Sequence, residues 1–162
     1  MDSAFAEINS VQYLSVRSIR DVGLNQLELI VEEAAINEAM RGHIEQTSLP
    51  DSARFLLQGA APIEHLDGSK VFRLFWKLYV AYLVTEELVG SNGKYEDEVY
   101  EGKLLRIYSR SHFLQHLERD TGGHFEPLLH YKLISLNHLI DVVSVEPPQI
   151  EVVEPRMKHP IQ

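Results

Sequence analysis

Val71–Thr85 has the sequence VFRLFWKLYVAYLVT, and this stretch decides the expected fold. Every second residue from Phe72 to Val84 is apolar, and aromatic or β-branched side chains dominate, which favours a strand. The residues between them mix charged with apolar side chains. The competing interpretation is a helix, with an apolar face made of Phe72, Phe75, Trp76, Tyr79, Val80 and Leu83. We predict a strand.

The flanking sequence predicts further strands. Apolar and polar residues alternate along Val11–Ile19, as in a half-buried strand. Ala53–Leu57 is expected to pair with the central stretch across a connection that contains the turn dipeptide Asp67-Gly68. Two more strands are predicted at Lys103–Ser109 and, as a short edge strand, at Gln149–Val153.

A first helix is predicted over Leu24–Arg41. Its apolar residues fall on one arc at helical spacing, and its acidic residues lie off that arc. Asn25 and Glu28 have the spacing of a capping box, and Gly42 stands where a glycine commonly follows a helix. A strand over Leu27–Val31 is the alternative.

Two more helices are predicted towards the C-terminus. Ser111 is placed to cap a short helix that ends at Gly122-Gly123. Pro127–Ser144 has apolar residues at alternating spacings of four and three, which is helical periodicity, and Pro127 suits a first helical turn. A strand over the same residues would carry polar side chains on both faces.

These elements interleave without the regular rhythm of parallel βαβ units. We therefore predict an α+β fold, in which a mainly antiparallel sheet is covered by two or three helices. It forms a single domain over residues 11–153. Residues 1–10 are expected to be a flexible N-terminal arm, and residues 154–162 a flexible C-terminal tail.

Composition and charge narrow the function classes. The 162 residues contain no cysteine, so disulfides and thiolate metal sites are excluded. The net charge of −9 repels a nucleic-acid backbone and favours docking onto a basic protein surface. We expect a basic protein surface as partner and no nucleic acid, and the oligomeric state is left open.

Neither a secretion signal nor a membrane span is predicted. Asp2 and Glu7 stand where a signal peptide would carry Lys or Arg, and no apolar core follows them. The longest apolar run, Leu78–Val84, is far shorter than the roughly 20 residues that cross a bilayer. A cytoplasmic location is expected.

Sequence motifs for common cofactors are missing. The chain contains neither G-x-G-x-x-G nor the nucleophile elbow G-x-S-x-G. Ser91-Asn92-Gly93-Lys94 is similar to the end of a phosphate-binding P-loop, but Tyr95 follows where that loop requires Ser or Thr. No cofactor is expected.

Acidic and aromatic residues provide candidate binding surfaces. Two groups of acids flank a loop punctuated by glycines and could form the rim of an interface with a basic partner. Phe75 and Tyr79, on one face of the predicted strand, could add aromatic contacts. Ordinary solvated surface and core packing are the alternative explanations. The acidic candidates are Glu86, Glu87, Glu96, Asp97 and Glu98.

A metal site is an alternative hypothesis. His112, His116 and Asp120 recur every four residues on the predicted short helix and point to one side of it, where they could meet a Zn²⁺ ion. A solvated polar helix face explains the same pattern.

A hydrolytic site is a further alternative. His130 and Asp141 are the residue types of a general base and its orienting acid, and they share one sector of the predicted last helix. A nucleophile would have to come from Ser109, Ser111 or Ser135. A hydrogen-bonded surface of a helix is the alternative explanation.

The sequence therefore favours a non-enzymatic, small acidic protein-binding domain of the inhibitor, immunity or adaptor type. The alternatives are a metal-dependent or His/Asp hydrolase-like enzyme, and a carrier of a small apolar ligand that uses the Phe72–Tyr82 stretch.

Overall fold

The computed structural model describes residues 3–41, 59–90, 96–125 and 127–153. In these residues, ten strands build two antiparallel sheets, and three α-helices accompany them. In chain order, the elements are α1 (Ser3–Ser10), β1 (Tyr13–Gly23), β2 (Gln26–Ile36), a 3₁₀ turn (Glu38–Met40), β3 (Ile63–Glu64), β4 (Val71–Trp76), β5 (Tyr79–Glu86), α2 (Glu87–Gly90), β6 (Val99–Glu101), β7 (Leu105–Arg110), α3 (His112–Thr121), β8 (Leu129–Ile134), β9 (His138–Ser144) and β10 (Gln149–Val153).

The chain crosses between the sheets at the bend after Trp76. The first sheet has the order β1-β2-β4-β10, with β3 added to the end of β2, and the second has the order β5-β9-β8-β7-β6. Lys77 and Leu78 separate β4 from β5, and the N–H of Tyr79 donates to the carbonyl of Asn25 at 2.9 Å. One apolar stretch therefore supplies a central strand to one sheet and an edge strand to the other.

The main core lies between the two sheets. Alternate residues of β2 and β4 face alternate residues of β7, β8 and β9, and burying this apolar surface is the main stabilising contribution to the fold. The ring of Trp76 meets the ring of Tyr131 edge-on at a centroid distance of 6.1 Å. The strand residues of this core are Leu14, Leu27, Leu29, Val31, Phe72, Leu74, Trp76, Leu105, Tyr131, Leu133, Ile140 and Val142.

A second apolar cluster lies on the opposite side of the second sheet, beneath α3. Leu114 of α3 packs there on Leu128 and Val143. Both faces of β9 are therefore buried, one against the first sheet and the other under the helix. The helix itself begins as predicted, since the Ser111 hydroxyl accepts the Leu114 N–H at 3.0 Å, and it ends at Gly122 in a left-handed conformation.

The predicted α+β fold, with a sheet covered by two or three helices, is wrong: the protein is mostly β. The helix expected over Leu24–Arg41 is instead the end of a β1–β2 hairpin and its second strand, with Leu24 and Asn25 in the turn. Asn25 adopts a positive φ of 56°, which asparagine tolerates in such turns. The position of Glu28 in the sequence is typical of the solvent-facing side of a helix. In the structure it lies on the sheet, where its carboxylate pairs with Arg20 and Arg73.

The helix expected over Pro127–Ser144 is also wrong, because this segment forms the β8–β9 hairpin. Alternation is hidden there because β9 is buried on both faces. His130 and Asp141 lie on the face under α3, where polar partners replace solvent. Apolar residues on both faces then produced spacings of three and four by chance.

Several predictions of single elements are confirmed. The central stretch is extended as predicted, although it forms two strands, β4 and β5, in different sheets. β1 and β7 lie within four residues of the expected Val11–Ile19 and Lys103–Ser109, and β10 has the expected limits Gln149–Val153. Ala53–Leu57 and residues 154–162 lie outside the described residues.

The N-terminal residues expected as an arm form α1. Phe5 and Ile8 are buried in the main core, and Asn9 holds the helix against the second sheet. Its side-chain oxygen accepts the N–H groups of Lys103, Leu104 and Leu105 at 2.7, 2.8 and 3.1 Å. Among the described residues, no helix has the length and hydrophobicity that a bilayer span requires.

Candidate functional site

A chain of polar side chains is buried on the α3 side of the second sheet. In the β8–β9 ladder Lys132 lies opposite Asp141, and His130 shares the face of Lys132 two residues earlier. This diagonal brings His130 Nε2 to 2.9 Å from Asp141 Oδ1. On the other side of the imidazole, Ser111 Oγ, at the start of α3, lies 2.7 Å from His130 Nδ1.

All three side chains are removed from solvent. Ser111, His130 and Asp141 are 1%, 2% and 5% exposed. The imidazole stacks on the ring of Tyr108 at 4.5 Å and meets the edge of Phe113 at 5.5 Å. The two aromatic rings therefore cover the parts of the His130 imidazole that make no hydrogen bonds.

The hydrogen-bond directions follow from the donors available. The ionised Asp141 carboxylate can only accept, so His130 donates its Nε2–H to Asp141. In the neutral imidazole Nδ1 then accepts the Ser111 hydroxyl proton, while Ser111 Oγ accepts the Leu114 N–H. The second Asp141 oxygen lies 3.2 Å from Lys132 Nζ, so the chain ends on a partly exposed ammonium group.

This order of residues is that of a nucleophile, a base and an orienting acid. A nucleophilic hydroxyl must also be reached by the substrate's reacting atom, and Ser111 is enclosed while it caps α3. In the observed conformation the hydrogen bonds from Ser111 to His130 and from His130 to Asp141 connect α3 to the sheet. Catalysis would require α3 to move.

The comparisons with known proteins add no relative. No family model, curated protein or solved structure matches the chain. Any functional assignment therefore depends on the chain's own geometry.

Sequence reasoning named His130 and Asp141 as a candidate pair, and the structure brings them together by cross-strand pairing rather than along one helix. Of the three candidate serines, Ser111 joins them. Ser109 donates to the carbonyl of Val99, and Ser135 lies in the β8–β9 turn. The useful signal in the sequence was the presence of polar residues inside an otherwise apolar segment.

The structure does not bring the residues proposed as metal ligands together in one place: His112 contacts Asp97, whereas His116 contacts Asp120. His112 Nε2 lies 3.0 Å from Asp97, and His116 Nε2 lies 3.5 Å from Asp120 along the exposed side of α3. In the parts of the chain that the structure describes, no three His, Asp or Glu side chains are grouped as a metal ion would need.

The acidic candidates divide between two edges of the second sheet. Glu86 ends β5, whereas Asp97 and Glu98 precede β6 at the other edge, about 19 Å away across four strand spacings. Asp97 and Glu98 also stabilise the start of α3: the hydrogen bond from His112 lowers the pKa of Asp97, and Glu98 accepts the His112 N–H at 3.0 Å. Glu87 directly follows Glu86 at the β5 side of the sheet, and Glu96 directly precedes Asp97 at the β6 side.

The two aromatic candidates lie on different sheets. Phe75 is on the outer face of the first sheet, where the guanidinium carbon of Arg73 lies 5.2 Å from its ring centroid. Tyr79 begins β5, and its hydroxyl donates to Asp21 at 2.6 Å, which raises the pKa of Tyr79. They do not form one surface.

The second sheet has an exposed apolar edge that the sequence did not predict. β5 is the first strand of the second sheet, and Tyr82, Leu83 and Val84 in it are 37%, 49% and 40% exposed. They belong to the same apolar stretch of sequence as Phe72, Leu74 and Trp76, which are buried in the main core. The sequence pattern does not distinguish the two halves of this stretch. We call these three residues, with Asp21 beside their start and Glu86–Glu87 at their end, the β5 edge.

Proposed function

We propose that the protein is a non-enzymatic protein-binding domain whose partner adds an extended, basic segment to β5. The supporting observation is the exposure of three consecutive apolar residues, Tyr82, Leu83 and Val84, on an edge strand. Such an edge offers backbone hydrogen-bonding groups as well as apolar contacts, and peptide segments bind other proteins in this way.

β1, the long edge strand of the first sheet, is protected against pairing with other chains. The exposed apolar residues of β5 differ from it in this respect. β1 has two register irregularities and carries charged side chains such as Arg17 and Arg20. The Asn137 side chain also bonds to both the N–H and the carbonyl of Val16 on that strand, at 2.9 and 3.1 Å. These are the features that prevent unwanted pairing. Between Val80 and Val84, β5 carries no charge.

Within the described residues, β5 has a strand partner on one side only. It pairs with β9, and its one register irregularity, between Tyr79 and Ala81, precedes the exposed residues. The regular part of the strand is therefore long enough to receive about five residues of a partner.

The charges around the β5 edge support a basic partner. The carboxylate of Asp21 lies beside the start of the edge, where it accepts the Tyr79 and Tyr82 hydroxyls, and Glu86–Glu87 follow its end. A segment with apolar residues between lysines or arginines complements this arrangement. A second copy does not, since antiparallel pairing centred on Leu83 would set Glu87 opposite Tyr79 and its bound Asp21, between chains of net charge −9.

A labelled peptide tests the proposal. Its sequence alternates valine and threonine between two lysines at each end, and binding is followed by fluorescence anisotropy at low and physiological salt. Leu83→Ser is expected to weaken binding at least about fivefold, because it removes apolar contact area. Glu86→Gln with Glu87→Gln is expected to weaken it at low salt and much less at high salt.

The matched control is Val152→Ser, which changes an exposed apolar residue on β10, the edge of the other sheet. This variant is expected to bind as the wild type does. Equal affinity for wild type and Leu83→Ser, or a loss confined to Val152→Ser, would refute the assignment to β5. A peptide flanked by glutamates that binds equally well would refute the basic partner.

A second candidate function is hydrolysis by Ser111, supported by its 2.7 Å contact with His130 and the 2.9 Å contact of His130 with Asp141. It requires opening of α3. A fluorophosphonate probe forms a covalent bond with an activated serine, so labelling that is lost in Ser111→Ala and retained in Ser109→Ala would support it. An unlabelled wild-type protein would rule it out.

A further inference from the structure

Two cations lie directly opposite each other on the α3 side of the second sheet. Arg106 of β7 pairs in register with Lys132 of β8, and both side chains leave the sheet on the face that carries His130 and Asp141. Like charges in directly opposed positions destabilise a sheet. The chain has 24 acidic residues against 15 lysines and arginines, so an opposed cation pair stands out from its overall charge.

Among the described residues, only Lys132 of this pair has a carboxylate partner. Lys132 Nζ lies 3.2 Å from Asp141, which also accepts a hydrogen bond from His130 Nε2. Arg106 forms no ion pair with any described residue, and its Nε atom is buried without a hydrogen-bond partner among them. A buried donor without an acceptor destabilises the fold. Because protein atoms enclose Nε, a ligand would contact Arg106 through the terminal nitrogens of its guanidinium group.

Aromatic side chains hold Arg106 in place. Its guanidinium carbon lies 4.3 Å from the centroid of the Tyr100 ring, which is exposed. Tyr108 is beside it: burial raises the pKa of the Tyr108 hydroxyl, and the hydrogen bond with Arg106 opposes that rise. Tyr108 is therefore a neutral donor at physiological pH. A cation held in advance loses little side-chain entropy when it binds an anion.

We infer that Arg106 and Lys132, with Tyr100 and Tyr108 around them, form a binding site for a small oxyanion. A guanidinium group presents paired N–H donors that fit two oxygens of a carboxylate or phosphate group, and the ammonium group adds a third contact. Asp141 balances the charge of Lys132, so Arg106 supplies the positive charge for an oxyanion, while the Glu98 carboxylate near Tyr108 opposes anion binding from the side of β6. The site is independent of the β5 edge, so either can fail without the other.

Nuclear magnetic resonance of the full chain tests the site directly, because the buried Nε–H of Arg106 gives its own signal. Sodium phosphate and sodium acetate are titrated separately at constant ionic strength, with chloride as the balancing anion. We expect a saturable shift of the Arg106 Nε–H signal and of the amide signals of Tyr100, Arg106 and Lys132. The stronger of the two anions identifies the preferred oxyanion.

Variants make the result specific. Arg106→Gln is expected to raise the dissociation constant at least about tenfold, as expected for the loss of a charge-assisted hydrogen bond. Arg106→Lys keeps the charge and is expected to bind with intermediate affinity, and Lys132→Gln is a second variant should Arg106→Gln fail to fold. Arg17→Gln on the first sheet, which removes a charge elsewhere, is expected to leave binding unchanged.

Two results would overturn the inference. One is the absence of a saturable shift for both anions. The other is a set of shifts spread over surface cations and equal in wild type, Arg106→Gln and Lys132→Gln, which is ionic screening without a site.

Discussion

Ser111 Oγ and His130 Nδ1 are 2.7 Å apart, and this contact joins α3 to the second sheet inside the protein. One hydroxyl thereby performs two tasks, since it also accepts the Leu114 N–H at the start of the helix. Local capping and tertiary packing depend on the same side chain, so its loss affects both.

Ser111→Ala is expected to lower the free energy of unfolding by about 2 kcal/mol, because a helix cap and a buried hydrogen bond are lost together. Urea denaturation followed by circular dichroism measures the change. Ser109→Ala, two residues earlier and exposed, is the control and is expected to change stability by less than about 0.5 kcal/mol. Equal stability of the two variants would show that the contact contributes nothing.

Asp141→Asn is expected to destabilise the protein by about 3 kcal/mol, because Lys132 and His130 then lose the carboxylate that both contact in a buried site. The same denaturation measurement applies. Asp120→Asn, at an exposed pair with His116, is expected to cost less than about 0.5 kcal/mol. If the two substitutions had equal effects, the buried chain would not be a stabilising network.

The carboxylate of Glu28 is expected to stabilise the fold at neutral pH and to lose this effect in acid. The hydrogen bond from Arg73 and the pairing with Arg20 hold the pKa of Glu28 below 4.5. The stabilisation is therefore complete above pH 4.5 and disappears as the pH falls through the lowered folded-state pKa. Glu28→Gln is expected to cost about 2 kcal/mol at neutral pH.

Acid titration of stability separates this effect from a loss of packing. The difference between wild type and Glu28→Gln is expected to shrink towards zero as the pH falls below 4.5. Glu32→Gln, whose carboxylate lies 3.9 Å from Arg17, is the control, with a small effect at all pH values. A pH-independent difference for Glu28→Gln would contradict the electrostatic explanation.

Tyr131 is expected to make the fold sensitive to alkali. Burial in the core raises the pKa of Tyr131 to about 12 from 10.0. The unfolded chain therefore loses the proton first, and stability is complete below pH 10 and falls by about 1.4 kcal/mol per pH unit until the folded-state pKa is reached. Tyr131→Phe is expected to reduce this slope, and the part that remains comes from Tyr79 and Tyr108, whose pKa values are also raised in the fold. An unchanged slope between pH 10 and 12 in the variant would assign it to another group.

Part of the fold could be predicted from the sequence because local patterns there agreed with the tertiary environment. β4 has one fully buried face, so its alternation was visible, and α3 has a capping serine and a terminal glycine. The β8–β9 hairpin could not be predicted in this way. It is buried on both faces, and its polar residues face partners that only the folded chain brings near.

The candidate sites show the same division. His130 and Asp141 were identifiable by residue type, but their contact depends on strand register, and Ser111 reaches them only through the packing of α3. The exposure of Leu83 could not be predicted from composition, because the same apolar stretch is core in β4 and edge in β5. Arg106 and Lys132 are 26 positions apart and meet only in the sheet.

Contacts between the lysine-flanked peptide and the protein, measured as intermolecular nuclear Overhauser effects on isotope-labelled protein, test strand addition most directly. The predicted result is a ladder of contacts from successive peptide residues to the backbone of Ala81–Thr85, with new protection of these amides from exchange. Contacts that map to β1 or β10, or saturated peptide binding without a ladder along β5, would contradict it.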